Sequence, residues 1–354
     1  MGASTTDRTQ WIDVAKCCAI FAVLIDHTYN YLYHDERVRF VTSFSIGLFI
    51  LTMGITSYWS YQRYEGSILR KLWKNCWRIL RPYIFATLCM GVLYDKGFFL
   101  SENIYRLLHF TAMGPFYYVC LYLQLLLVAP LIFYFLNQGK RGGVAVEAVG
   151  LLIVVVFSIC TTKRSDILGL YGGGGKLFGG TYLILFYLGM CLGKHQAAFL
   201  VKKWMARLLF IALVVATMAW VVFYTRNQLQ MDQVFPFGYG YNPPGVTVMI
   251  YVVLIACTLY YLEYAIGDNA LLKRIFGGIS KLGHHTLYIF LYHGLFLNYI
   301  FPYIGRYYVV PESHIWLKRA VWLTTIVVGS IIIEYVFNWV YAFIYKAYQP
   351  KTNK

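Results

Sequence analysis

Charge is scarce in this sequence. Asp, Glu, Lys and Arg together make up 13% of its 354 residues, about half the share of a soluble domain. Too little charge is present to cover a solvated globule, and 59% of the positions are hydrophobic. No internal repeat, long polar linker or soluble domain interrupts the apolar runs, which argues against a multidomain assembly. Cys17, Cys18, Cys76, Cys89, Cys120, Cys160, Cys191 and Cys257 are scattered, with no CxxC and no Cys/His spacing of the zinc type. No metal is therefore expected. The glycine run at 172–175 lacks the frame of a P-loop and reads as an exterior loop. A cleaved secretory signal is not expected either, because Asp13, Lys16, Asp26 and His27 break the first apolar run. Acidic residues number only 15 against 31 basic ones. In a soluble domain that excess would suggest nucleic acid; here basic loops beside membrane spans explain it better, and no nucleic-acid partner is expected.

What remains is a series of apolar runs about 20 residues long, each able to cross a bilayer as a helix. Ten are expected, near residues 12–33, 41–61, 79–95, 116–136, 144–160, 178–193, 205–225, 246–264, 282–304 and 320–344. The fold class is all-α, a polytopic integral membrane protein. One membrane domain spans 12–345, with tails at 1–11 and 346–354. Basic residues concentrate in 62–81, 194–207 and 265–281, all on the side of the N-terminus. This bias and the even count place both termini in the cytoplasm, and the plasma membrane is the expected location.

The stretch from Trp11 to Tyr33 is the most informative. It reads as a span that carries Asp13, Lys16, Asp26 and His27. Ionisable groups at membrane depth are costly and usually face a protein interior or a wet site. Eleven residues separate Lys16 from His27, three turns plus about 20°, so they share a face roughly 16 Å apart along the axis. Asp13 can pair with Lys16 at i,i+3. Further on, RYEGSILRKLWKNCWRILRP (63–82) is the densest basic segment. Arg78 and Arg81 lie three apart before Pro82; they suit either a phosphate clamp or a basic cluster that sets topology and meets anionic lipid. Phe116, Tyr117 and Tyr118 form an aromatic cluster of the interfacial-belt kind. The segment 231–245 reads as an exterior loop rich in aromatics. His293 and Glu334 fall near the middle of the last two spans, where a carboxylate needs a partner or a proton. Lys16, His27, His293 and the arginines are all candidate partners.

The opening WIDVAKCCAIFAVLIDH resembles that of the acyltransferase 3 family, ten-span bacterial enzymes that modify surface glycans. The family's frame of a basic residue, ten residues and a histidine is kept by Lys16 and His27. Lys16 stands where Arg is usual, and the opening is most similar to the fucose 4-O-acetylase-type branch. The family's R-x-x-R before the third span matches Arg78 and Arg81. Its later signature matches Leu282, Gly283, Thr286, Leu287, Ile289, Phe290, Leu291 and His293, and Pro130 is a looser match.

The resemblance implies an O-acyltransferase that moves an acyl group, acetyl by default, from cytoplasmic acetyl-CoA or another acyl-CoA to a hydroxyl of an extracytoplasmic or lipid-linked glycan. It implies His27 as general base, with Lys16, Asp26 and Glu334 as further catalytic candidates. Arg78, Arg81 and Lys16 would hold the coenzyme, and His293, Tyr117 and Tyr118 would meet the acceptor. Membrane lipids, and a second copy of the chain, are the other expected partners. A proton-coupled transporter or flippase of a glycan intermediate is the alternative. No repeated halves of the kind transporters commonly show are visible.

Overall fold

The computed structural model describes residues 10–29, 31–94, 100–138, 143–163, 177–234, 242–267, 269–305 and 314–348. Most of both tails, the glycine run and positions 235–241 of the aromatic loop lie outside the described residues. Within them the chain is helical: α1 (Gln10–His27), α2 (Arg37–Thr42), α3 (Ser45–Gln62), α4 (Ile68–Tyr94), α5 (Leu100–His109), α6 (Tyr117–Gln138), α7 (Gly143–Lys163), α8 (Tyr182–His195), α9 (Lys203–Val234), α10 (Val246–Ile266), α11 (Ala270–Gly283), α12 (Thr286–Leu295), α13 (Phe301–Gly305) and α14 (Ile315–Tyr348). A π-helical turn, Phe296–Ile300, joins α12 to α13.

Eight helices or helix pairs among the described residues are long and apolar enough to cross a membrane. They match eight of the ten expected spans. The other two, the first and the sixth, fall short for different reasons. α1 carries Asp13, Lys16 and Asp26 within 18 residues, and α8 has only 14 residues. Both are central. α1 packs against α11, α3, α10 and α12, and α8 packs along α3. The periphery has the opposite character. The apolar stretch of α9 is only 6% buried within the protein, against 67% for that of α2–α3. Leu208, Ile211, Val215 and Met218 of α9, and Ile332, Val336, Trp339 and Phe343 of α14, are exposed. Apolar surface of that extent marks a face made for lipid.

Two close approaches set the core. Gly54 of α3 and Gly189 of α8 face each other, and a Cβ on either would lie 2.3 Å and 2.2 Å from a backbone oxygen of the opposite helix. Small residues let helix backbones meet in this way without an intervening side chain. Gly283, at the end of α11, abuts α1, where a Cβ would sit 2.0 Å from the Asp13 carbonyl oxygen. The start of α1 is capped from far along the chain. The Glu263 carboxylate accepts from the backbone N–H of Gln10 at 3.0 Å and of Trp11 at 3.3 Å. These are donors that a helix cannot satisfy itself, and an anion at this end also suits the helix dipole.

Several boundaries differ from those expected. The first helix ends at His27, so that histidine is its last residue; Thr28 then folds back, its hydroxyl donating to the Leu24 carbonyl at 2.9 Å. The basic segment at 68–81 is the first half of α4, continuous with the apolar half. The basic connection expected at 265–281 contains an amphipathic helix, α11, and the ninth run, expected from 282, begins as the buried α12 only at Thr286, after a turn at His284 and His285.

Candidate active site

Two cavities lie at opposite ends of α1. The larger, about 680 Å³, is at the Lys16 end; Lys16, Asn75, Arg78, Arg81, His284 and Glu334 are among its lining residues, with Phe49, Met53, Tyr118 and Phe290 toward its depth. The smaller, about 500 Å³, is at the His27 end. It is lined by Asp26, His27, Arg39, Thr42, Ser43, Tyr117, Tyr182, Asn242 and Phe290, among others.

In the larger cavity Lys16 Nζ lies 3.2 Å from Asp13 Oδ1, the i,i+3 pair expected from the sequence. The Asp13 side chain is 2% exposed, and its other oxygen, Oδ2, lies 3.0 Å from His284 Nε2. A carboxylate this deep keeps its charge only with such partners, so Asp13 ties Lys16 and the end of α11 to one point. Arg78 and Arg81 line the same space from α4. Arg81 Nε donates to the Trp77 carbonyl at 3.3 Å, and its guanidinium lies 4.7 Å from the Tyr341 ring centre. Neither arginine pairs with a carboxylate among the described residues. Pro82 cannot donate to the Arg78 carbonyl, so α4 lacks a backbone bond beside them. A cavity of this size is within the ~300–1,000 Å³ range of small-molecule sites, and the three cations among its lining residues suit a phosphorylated ligand.

At the other end His27 meets His293. His27 Nδ1 and His293 Nε2 are 2.6 Å apart, and the rings lie 4.8 Å apart at 22°. His293 is 1% exposed, and its Nδ1 lies 2.6 Å from the Phe290 carbonyl oxygen. A carbonyl only accepts, so Nδ1 of His293 carries a proton. In a neutral imidazole the second nitrogen is then the acceptor. His27 Nδ1–H therefore donates to His293 Nε2, which leaves the lone pair of His27 on Nε2. This tautomer follows from the hydrogen-bond network, and it gives an imidazole at the cavity wall whose remaining nitrogen is basic.

The structure brings some of the expected site residues together and separates others. Asp26 and Tyr117 line the cavity of His27, and Arg39 Nε lies 3.6 Å from Asp26 Oδ1. Tyr118, next in sequence to Tyr117, lines the opposite cavity. Glu334 is also in the Lys16 cavity, with its Oε2 2.7 Å from His285 Nδ1. The imidazole beside His27 is thus that of His293, and Glu334 serves His285. Arg39, Glu263, His284 and His285 were not singled out in the sequence. Adjacent charges at 35–39 and the HH pair were visible, but nothing local tied them to a site. Among the described residues no group of three or more His, Cys, Asp and Glu side chains converges as a metal site requires.

A family model described as an acyltransferase domain matches residues 9–339, nearly the whole chain. No curated protein and no solved structure matches it.

Proposed function

The chain belongs to the acyltransferase 3 family, and on that premise we propose that it moves an acyl group, acetyl by default, from acyl-CoA to a hydroxyl of a glycan across the plasma membrane. The coenzyme enters the Lys16 cavity from the cytoplasm, where Arg78, Arg81 and Lys16 neutralise its phosphates. The acceptor enters the His27 cavity from the opposite side, between Tyr117 and the Asp26–Arg39 pair. Ten spans, with α1 and α8 as the two inner ones and both termini in the cytoplasm, are consistent with this arrangement.

His27 Nε2 removes the proton from the acceptor hydroxyl as that oxygen attacks the thioester carbonyl. His293 accepts from Nδ1 throughout, so the imidazole keeps its tautomer and orientation, as the third group of a triad does. The carbon–sulfur bond breaks, and the imidazolium returns the proton to the leaving thiolate. The observation that carries this reading is the chain of hydrogen bonds from the Phe290 carbonyl through His293 to His27. It leaves one basic nitrogen at a cavity lined by polar side chains, among them Thr42, Ser43, Tyr117 and Asn242.

A transporter or flippase is the competing reading. Two cavities separated by one wall favour it, as do the half-buried His285–Glu334 and His27–His293 contacts, since intramembrane ionisable groups often relay protons. Acetyl-CoA binding to the detergent-purified protein separates the two. Wild type and His27→Ala are both expected to bind saturably, and only wild type is expected to release the thiol. No binding to either, in a preparation shown to be folded, would transfer the assignment to the transporter.

A further inference from the structure

Among the described residues Phe290 borders both cavities. It is 3% exposed, and its ring lies 4.9 Å from that of Tyr118, which in turn lies 6.0 Å from that of Phe49. Tyr118 and Phe49 line the Lys16 cavity. On the other side the Phe290 ring lies 5.8 Å from the His293 ring. An unbroken file of rings thus runs from the floor of the donor cavity to the base at the acceptor cavity. The same residue also supplies the carbonyl that fixes the His293 tautomer. Aromatic side chains are wide, stiff and free to turn only about two bonds, so a wall made of three of them yields by ring rotation rather than by collapse.

We propose that Phe290, backed by Tyr118 and Phe49, is a gate between the two cavities that limits the length of acyl chain able to reach His27. The inference rests on the acyltransferase reading. A short acyl group passes the tilted rings with the slender arm that carries it. A long one is held on the Lys16 side, short of the base. Because the Phe290 backbone holds His293, a chain that displaced the ring would also disturb the histidine pair, which links passage to the readiness of the base.

The test requires no turnover. Non-hydrolysable thioether analogues of acyl-CoA, bearing a diazirine at the end of a short or a long acyl chain, are photolysed on the full-length protein, and the labelled residues are mapped. In wild type the short analogue should label the Thr42–Ile46 segment of the His27 cavity. The long one should label Phe49–Tyr61 of the Lys16 cavity. In Phe290→Ala, label from the long analogue at Thr42–Ile46 should rise at least fivefold. Phe290→Leu keeps most of the core volume, serves as the variant should the alanine form fail to fold, and should show an intermediate rise. Equal labelling of Thr42–Ile46 by both analogues in wild type would overturn the gate while leaving the acyltransferase intact. So would labelling by the long analogue that neither variant changes. If neither cavity is labelled in a way that excess acetyl-CoA suppresses, the acyl-CoA reading itself fails.

Discussion

Two imidazoles 2.6 Å apart constrain each other's chemistry. Because His293 spends its Nδ1 proton on the Phe290 carbonyl, it can only accept from His27. Removing it should therefore affect the rate and leave donor binding intact. His293→Ala is expected to lower kcat about 10²- to 10³-fold, within the usual range for acid–base catalysis, with the KM for acyl-CoA unchanged. His293→Asn, whose amide oxygen can accept from His27 Nδ1, should recover part of that loss. Steady-state kinetics on the three proteins checks this, and a change confined to KM would remove His293 from its positioning role. The arginines make the complementary case. Arg78→Ala and Arg81→Ala should each weaken acyl-CoA binding about 10- to 100-fold, since hydrogen bonds to charged groups contribute about 1.5–3 kcal/mol. Calorimetric titration reads this directly, and unchanged affinity would leave them as topology determinants. Lys16 lies between these cases. Its alanine variant strips one of the partners of a carboxylate that is 2% exposed, so stability should fall along with transfer. Lys16→Arg should preserve both.

At the scale of elements, the close seams are the points where substitution is least tolerated. Gly54→Ala places a methyl group against the Phe186 carbonyl, and α3 and α8 must part to admit it. Overpacking of this kind costs about 1–3 kcal/mol, so the thermal midpoint in detergent should drop, and an unchanged midpoint would show that the seam yields. The seam was not legible in the sequence, because a glycine in an apolar run looks the same whether it faces lipid or another helix. α1 was legible, since the spacing of Lys16 and His27 on one face depends only on helix geometry. The amphipathic α11 was not, because Lys273, Arg274 and Lys281 interrupt its apolar residues and make the segment read as a connection between spans. Glu263 as the cap of α1, and His293 as the partner of His27, were also beyond reach. Contacts separated by 253 and 266 residues leave no periodic trace. Glu334 shows the converse. Its need of a partner was plain from its depth, but the partner, His285, was not among Lys16, His27, His293 and the arginines, because it depended on how α14 packs against α12.

Among the described residues of the whole molecule eight spans are evident from length and composition; α1 falls short through its charges and α8 through its length of 14 residues, and both pack inside the protein. A helix surrounded by protein need not be long or apolar enough to satisfy lipid. Reporters fused to the two ends test the count and orientation together. Both are expected on the cytoplasmic side, and opposite sides would require an odd number of crossings. The layering is plain in the burial: the apolar stretches of α9 and α14 are 6% and 11% buried, against 67% for that of α2–α3, so lipid-facing helices take the rim while α1, α3 and α8 take the centre.

The central position of α1 has a consequence for how the protein is made. The ribosome delivers this helix before α2 to α14, yet three of the groups that satisfy it, Glu263, His284 and His293, follow at least 252 residues later. At the moment of its synthesis α1 can form its own Asp13–Lys16 pair, but the partners from α10 to α12 are still absent, and ionisable groups in a span disfavour insertion, by up to about 2.5–3.5 kcal/mol each at mid-bilayer. It must therefore wait, held by the insertion machinery or lodged near the membrane surface, until α10 to α12 arrive. Chains truncated before α10 should leave their first helix extractable and short-lived, whereas the finished chain locks it in last.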